Sequence, residues 1–559
     1  MRVSNCLGVA ALIIGAAVLT GCGGGGSSST PASTSNAAGT LIFNPPLRVG
    51  SVTSADFTAS LQTLPDGSPN TGGQQLLGLL QAAGMLPLPC GIDFHYIQYD
   101  TVGGTGEATT GSGALMVPTG GAGCSGKRPI LLYSHGTAAT RGYNMANPSD
   151  LTNEAARESG LIAAMFAAQG YIVVAPNYAG YDSSPLPYHP FLNANALSAD
   201  MINALRAARS ALGNIPAAST TDNGALFLSG YSEGGYVAMA THRAMDVATR
   251  GGATDLKVAA AAPMSGPYAT EALGDAIVFG QAIDLAATVF FPLWSSGYQN
   301  SYHNLYNAPT DLFALPYANT VPTLMPGAST FTELAATGQV PLAFFDSTTP
   351  VTGNATLDAA LAVPTSQPAA SLVAAGFGFG KPYLVTNTFR LGYALDAAAS
   401  PDGGLTVAGA PLAATPTYPF RQDLNLNDMR KGNWFPAAPT LMCGGANDPE
   451  VFYFDAQIMQ AFWAPIAATI PGLPANFISA LDVDSAIGAN DPYAAVKAGF
   501  AAAKQADAAA AAAAAVAAGA TDGGAAAAAK AVLEDYHGAL VPPFCTLAAR
   551  GYFKQVSGF

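Results

Sequence analysis

Charge is scarce in this chain. Only 10% of its 559 residues are Asp, Glu, Lys or Arg, and the basic ones are scarcer still: 21 against 35 acidic, a formal net charge of −14. No basic stripe exists to neutralise phosphates, which excludes nucleic acid as a partner. Metal-ligand spacing is missing as well. There is no C-x-x-C and no paired-histidine motif, so neither a metal nor another cofactor is expected. Long apolar runs are missing: Leu7 to Val18 is too short for a comfortable membrane span. No internal repeat occurs. What is abundant is apolar residue, at half the chain, which suits a packed globular protein and excludes a mainly disordered one. The length exceeds one ordinary core, so a large domain with an insertion, or two domains, is expected. None of these features fixes the oligomeric state.

The N-terminus reads as a targeting segment. Arg2 opens it, the apolar stretch follows, and Leu19-Thr20-Gly21-Cys22 closes it. That ending resembles the bacterial lipobox, in which small residues precede a cysteine that is lipidated and becomes the mature N-terminus. The resemblance implies a lipoprotein signal peptide over 1–21, a membrane anchor on Cys22, and a place in the cell envelope, at the outer membrane or exported. An ordinary signal peptide containing a cysteine is the alternative. Residues 22–40 are rich in Gly, Ser and Thr and read as a flexible tether.

Beyond the tether, 95–102 and 106–118 look like strands joined by a Gly-rich turn. PILLYS (129–134) is a buried strand ending at His135-Gly136-Thr137. A helical pattern over 154–169 closes at Gly170. YIVVAPNYAG (171–180) is a strand, 195–212 a helix, ALFLS (225–229) a strand, YVAMATHRAM a helix, and VAAAAPMSGP (258–267) a strand again. Such alternation means a mostly parallel, doubly wound α/β sheet covered on both faces. It breaks over 271–435, a block too long for a structureless loop and read as an inserted cap. It resumes at PTLMCGGAND (439–448). The Ala-rich stretch 500–530 reads as two surface helices broken at Gly519 and Gly523-Gly524, without chemistry.

Residues 230–234 read G-Y-S-E-G, between a strand and a helix. A serine on so sharp a turn projects its hydroxyl clear of the sheet, and Gly230 and Gly234 let strand and helix approach. Gly235 gives further clearance. Ser232 is therefore a candidate nucleophile. A serine needs a base held by a carboxylate, and where the serine stands on such a strand–turn–helix elbow the chain order is Ser, acid, His. The acid is expected right after the strand that follows the insertion, where Asp448 stands; Glu450 and Asp455 are its rivals. Of the six histidines only His537 lies beyond it. It is expected on a loop leaving a helix, with Gly538 allowing the turn. The oxyanion hole is expected from the backbone N–H groups of Glu233 and Thr137, with Gly136 letting the latter's loop turn inward. His135 is expected to shape that loop, and His189 to pack near the cleft.

Cys90, Cys124, Cys443 and Cys545 remain outside the targeting segment, an even number that suggests two disulfides in an oxidising compartment. Three connectivities are possible. Cys90–Cys124 with Cys443–Cys545 is favoured, because the second bond would clip the acid's strand to the histidine's segment.

Together, S-H-G-T (134–137), A-P-N-Y-A-G-Y-D (175–182), Y-H-P-F-L (188–192) and G-Y-S-E-G-G (230–235) resemble the α/β-hydrolase fold, and within it the secretory lipase group of serine esterases. The resemblance covers roughly 85–270 and 436–559. Asn177 stands where that group usually has Asp, and Phe191 where it usually has Tyr. It implies a catalytic domain split into 41–270 and 436–559 around a cap at 271–435, with V-F-F-P-L-W (289–294) as a candidate wall of an acyl pocket. The expected activity is hydrolysis of a small-molecule, lipid or polyester ester through a Ser232–Asp448–His537 triad. A serine peptidase or acyltransferase on the same fold, or a non-enzymatic surface lipoprotein, are the rival readings.

Overall fold

The structure is a computed structural model and describes residues 37–216, 219–366 and 369–558. The expected signal peptide, Cys22 and most of the expected tether lie outside the described residues.

Strands β1 (Leu47–Val52), β2 (Gly91–Val102), β3 (Ala108–Thr119), β4 (Gly126–Ser134), β5 (Ile172–Pro176), β6 (Thr220–Tyr231) and β7 (Val258–Met264) precede the long insertion. Within the insertion β8 (Ala343–Asp346), β9 (Phe379–Gly380) and β10 (Tyr383–Val385) form a small parallel sheet of their own. After it come β11 (Thr440–Gly444) and β12 (Ile478–Asp482). The main sheet has nine strands in the order β1-β2-β3-β5-β4-β6-β7-β11-β12. The first three pair antiparallel, β3 meets β5 antiparallel, and every later pairing is parallel. The central strands are apolar along their length because helices cover both faces. Every residue of β5 is buried, as are Pro129–Ser134 of β4. Each Val, Leu or Ile so buried contributes about 1.5–3 kcal/mol.

The alternation expected from the sequence is present. The helix expected over 154–169 is Ala156–Met165 followed by a 3-10 turn, and Gly170 ends it at φ 91°. The expected 195–212 helix is Ala194–Leu212. The Ala-rich stretch forms helices Ala494–Ala517 and Ala525–Asp535, largely exposed. Strand β1 and the helices Ser54–Gln62 and Thr71–Ala82 were not anticipated. Both disulfides take the favoured pairing, Cys90–Cys124 and Cys443–Cys545. The first spans the β2–β3 hairpin; the second ties β11 to the helix Val541–Ser557. Such bonds persist in oxidising compartments. Among the described residues no helix is long and apolar enough to cross a membrane.

The segment between β7 and β11 packs with the sheet layer in one compact unit, residues 37–559. Buried arginines organise it. Arg421 reaches Glu271, Asp275 and Asp396, and Arg430 reaches Asp402 and Asp428. Among the described residues Arg390 has no acid beside it: its Nε donates to the Val278 carbonyl and Nη2 to that of Leu361, closing two helix ends, while Phe345 and Phe379 face its guanidinium.

Candidate active site

Strand β6 delivers the chain to Ser232, which sits at φ 60°, ψ −125°, and the helix Glu233–Arg250 departs at once. A non-glycine residue in that region costs about 1–3 kcal/mol and persists only where its surroundings enforce it. They do here. A Cβ on Gly230 would collide with the Ser134 side chain and the Gly234 carbonyl, one on Gly234 with the Ser134 carbonyl, and one on Gly235 with the Met264 carbonyl. The glycines are thus a packing requirement of the turn.

Two other elements bring their side chains to Ser232. His537 Nε2 lies 2.8 Å from Ser232 Oγ, and His537 Nδ1 lies 2.7 Å from Asp448 Oδ2. The other carboxylate oxygen of Asp448 accepts the backbone N–H groups of Glu450 and Val451, each at 3.0 Å. The structure thus brings all three anticipated residues together, and each is buried. The rivals are elsewhere engaged: Asp455 accepts the Ala269 N–H, and Glu450 lines the adjoining cavity. The setting of His537 differs from expectation. It occupies a π-helical turn, Tyr536–Leu540, between two helices and not on a loop. Gly538 is not in the left-handed region and has open space around it, so the turn does not depend on it. What fixes the segment is Tyr231, whose hydroxyl donates to the His537 carbonyl at 2.6 Å.

Burial alone would depress the basicity of His537. The carboxylates of Asp448 and Glu450 and the Asp448 hydrogen bond overcome it and lift the imidazole to about 9. Glu450 is itself pushed up to about 7, chiefly by burial. Asp284 is driven well above the usual carboxylate range, by burial and then by the charge of Glu450.

Thr137 and Glu233 both line the cavity beside Ser232, and neither backbone N–H donates to another backbone or side-chain group among the described residues. Gly136 takes no left-handed conformation, and a Cβ there would meet its nearest neighbours at 3.5 Å or more; its flexibility is not what turns the loop. A clamp of polar groups does so. Tyr178 and Tyr181 donate their hydroxyls to the carbonyls of His135 and Ala138. Glu158 accepts from the Tyr133 and Tyr143 hydroxyls, both at 2.7 Å, and from the Gly136 N–H at 3.1 Å. His135 is stacked between Tyr143 and Tyr178, at 4.2 and 4.1 Å, and burial pushes it down to about 4, so it shapes the loop and takes no proton at neutral pH. Sequence reasoning missed Glu158. Its signal was an acid four residues before Ile162, on the buried face of a helix. Asn177 is explained as well: it accepts the Met145 N–H and donates to Ser112 Oγ, and an Asp could only accept.

The insertion supplies the remaining wall. An apolar cavity with about 740 Å³ of empty space, part of it open to solvent, runs from Ser232 among Phe191, Phe290, Phe291, Trp294, Phe344, Phe345, Phe389 and Phe420. The stretch 289–294 lies in the helix Ala287–Tyr302, and only Phe290, Phe291 and Trp294 of it reach the cavity. Among the described residues no cluster of His, Cys, Asp and Glu has the form of a metal site.

No family model matches this chain, and no curated protein does. Solved structures do. The rice cell wall degrading esterase LipA from Xanthomonas oryzae is 26% identical, with a TM-score of 0.56 over 80% of this chain and 91% of that one. A Legionella pneumophila protein provisionally termed a hydrolase is 20% identical, with a TM-score of 0.53 over 79% of this chain and 91% of that one, which speaks for the fold alone. The chain has the α/β-hydrolase fold and is similar to the Xanthomonas esterase.

Proposed function

We propose that this protein hydrolyses carboxylic esters through a covalent acyl-enzyme on Ser232. The observation that carries the reading is the unbroken chain of hydrogen bonds from Ser232 through His537 to Asp448, set on a strained turn. Ser232 Oγ attacks the ester carbonyl while His537 Nε2 takes its proton. Asp448 holds the ring by Nδ1–H and stabilises the imidazolium. The negative oxygen of the tetrahedral intermediate accepts from the Thr137 and Glu233 N–H groups; one such donor is worth about 3 kcal/mol. The carbon–oxygen bond to the alcohol breaks, and His537 hands the proton to the departing alkoxide. Water then attacks the acyl-enzyme, giving its proton to His537, and Ser232 leaves reprotonated with the free acid released. The Phe-lined cavity takes the acyl group, whose apolar surface it removes from water. Lipids, polyesters and small esters all present such a group.

The test is turnover of p-nitrophenyl acyl esters together with labelling by a fluorophosphonate. Both are expected from the wild type and neither from Ser232→Ala; undiminished turnover by that variant overturns the reading. We propose further that Cys22 carries the lipid that holds the protein at the envelope. Incorporation of a labelled fatty acid that survives Cys22→Ala would overturn that second statement.

A further inference from the structure

Glu233 carries two features at once. Its N–H is one of the oxyanion donors in the reading above, on which this inference rests. Its carboxyl is fully buried, with Oε1 2.6 Å from His189 Nε2 and Oε2 without a hydrogen-bond partner among the described residues. His189 Nδ1 lies 3.0 Å from the Ala179 carbonyl. Both ring nitrogens therefore face acceptors. Nδ1 must carry a hydrogen to donate to Ala179, and a second hydrogen lies between Nε2 and Oε1. Wherever that shared proton sits, imidazole and carboxyl together bear no net charge. The alternative is a bare carboxylate on the residue whose N–H must receive a developing negative oxygen, where like charges repel and little water screens them.

The same imidazole also reaches the other half of the oxyanion hole. Its ring packs against Tyr178 and Tyr181, with centroids at 5.5 and 4.7 Å. Those tyrosines hold the carbonyls on either side of Gly136-Thr137. One side chain thus spans from the Glu233 end of the helix to the clamp on the Thr137 loop.

We propose that His189 is a positioning residue for the oxyanion hole, which neutralises the Glu233 carboxyl and registers the two backbone donors against each other. It touches neither substrate nor Ser232. A device acting on the transition state lowers kcat when broken and leaves KM nearly alone.

The test compares His189→Gln with His189→Gln/Glu233→Gln, the wild type's ester turnover being established first; its absence would break the ester-hydrolase reading and not this one. For His189→Gln, kcat is expected to fall by about tenfold to a hundredfold with KM within about twofold, a range bounded by loss of one whole oxyanion donor. Slow fluorophosphonate labelling of Ser232 persists. The double variant, which has no carboxylate to neutralise, is expected to recover kcat by about fivefold or more over His189→Gln. Equal loss in both variants, or a loss carried by KM, overturns the proposal. If His189→Gln fails to fold and the double variant folds, the neutralising role stands. If neither folds, the pair is a packing element and the proposal is overturned.

Discussion

The two sides of the site are made of different materials. Around Ser232, Thr137 and His537 the segments are held by directed bonds: tyrosine hydroxyls donate to carbonyls and to Glu158, and backbone N–H groups donate to Asp448. Around the cavity, aromatic rings packed against one another form much of the wall, with aliphatic side chains between them. Phe291 alone meets Phe313, Phe344, Phe389 and Phe420 edge to face. Directed bonds fix atoms to fractions of an ångström, which the reaction demands. Ring packing fixes volume and lets shape vary, which selects a substrate. In the proposed reading, chemistry therefore belongs to the directed side and selectivity to the insertion.

Breaking the directed side costs most. Asp448→Asn keeps the shape but reverses the polarity of the bond to His537, and kcat is expected to fall about ten-thousand-fold. Steady-state turnover of a nitrophenyl ester measures it, and a loss under tenfold would remove Asp448 from its role. Opening Cys443–Cys545 as the paired Ser variant is next. The bond closes a loop of 102 residues behind both Asp448 and His537. Its loss is expected to lower unfolding free energy by about 2–5 kcal/mol, read by denaturant titration. An unchanged midpoint would show that the strand and helix need no tie.

The ring-packed side responds more gently and differently in kind. Phe290→Ala enlarges the cavity without touching a hydrogen bond, so longer acyl esters should gain on shorter ones by about tenfold in relative kcat/KM. A chain-length series checks it; a uniform drop across the series would mean that the ring supports the fold and does not set selectivity. Glu450 belongs to both sides, two residues after Asp448 and in the cavity wall, and its effect is the smallest. His537 must be neutral to act as base. With the imidazole lifted to about 9, kcat/KM is expected to rise with pH towards that value. Glu450→Gln removes one of the carboxylates that raise it, so the imidazole loses its proton at lower pH and the rising limb moves to lower pH. A limb that stays or moves upward would exclude Glu450 from setting the base.

The legibility of the chain follows the same division. Ser232, Asp448 and His537 could be picked out because each lies where a local pattern ends: a strand meeting a Gly-flanked turn, a strand meeting G-G-A-N-D, and the one histidine left downstream. The central strands declared themselves by unbroken apolar runs. The cavity did not, because aromatic residues over 271–435 look alike whether they fill a core or line a pocket; of 289–294, Phe290, Phe291 and Trp294 turned to the cavity and Val289, Pro292 and Leu293 did not. Nor could the sequence show that Glu158 holds Gly136 or that His189 meets Glu233. Those partners lie 22 and 44 positions apart, and nothing local to either names the other.

By itself, then, the sequence determined the central strands, the turn at Ser232, the order of the proposed triad and the cysteines available to pair, since periodicity, glycine placement and chain order are local properties. Only the tertiary structure decided which tyrosines and acids clamp the Thr137 loop, that a π-turn held by Tyr231 presents His537, and which rings enclose the cavity. Those outcomes rest on contacts between residues distant along the chain, and burial selects such contacts only once the whole chain has packed.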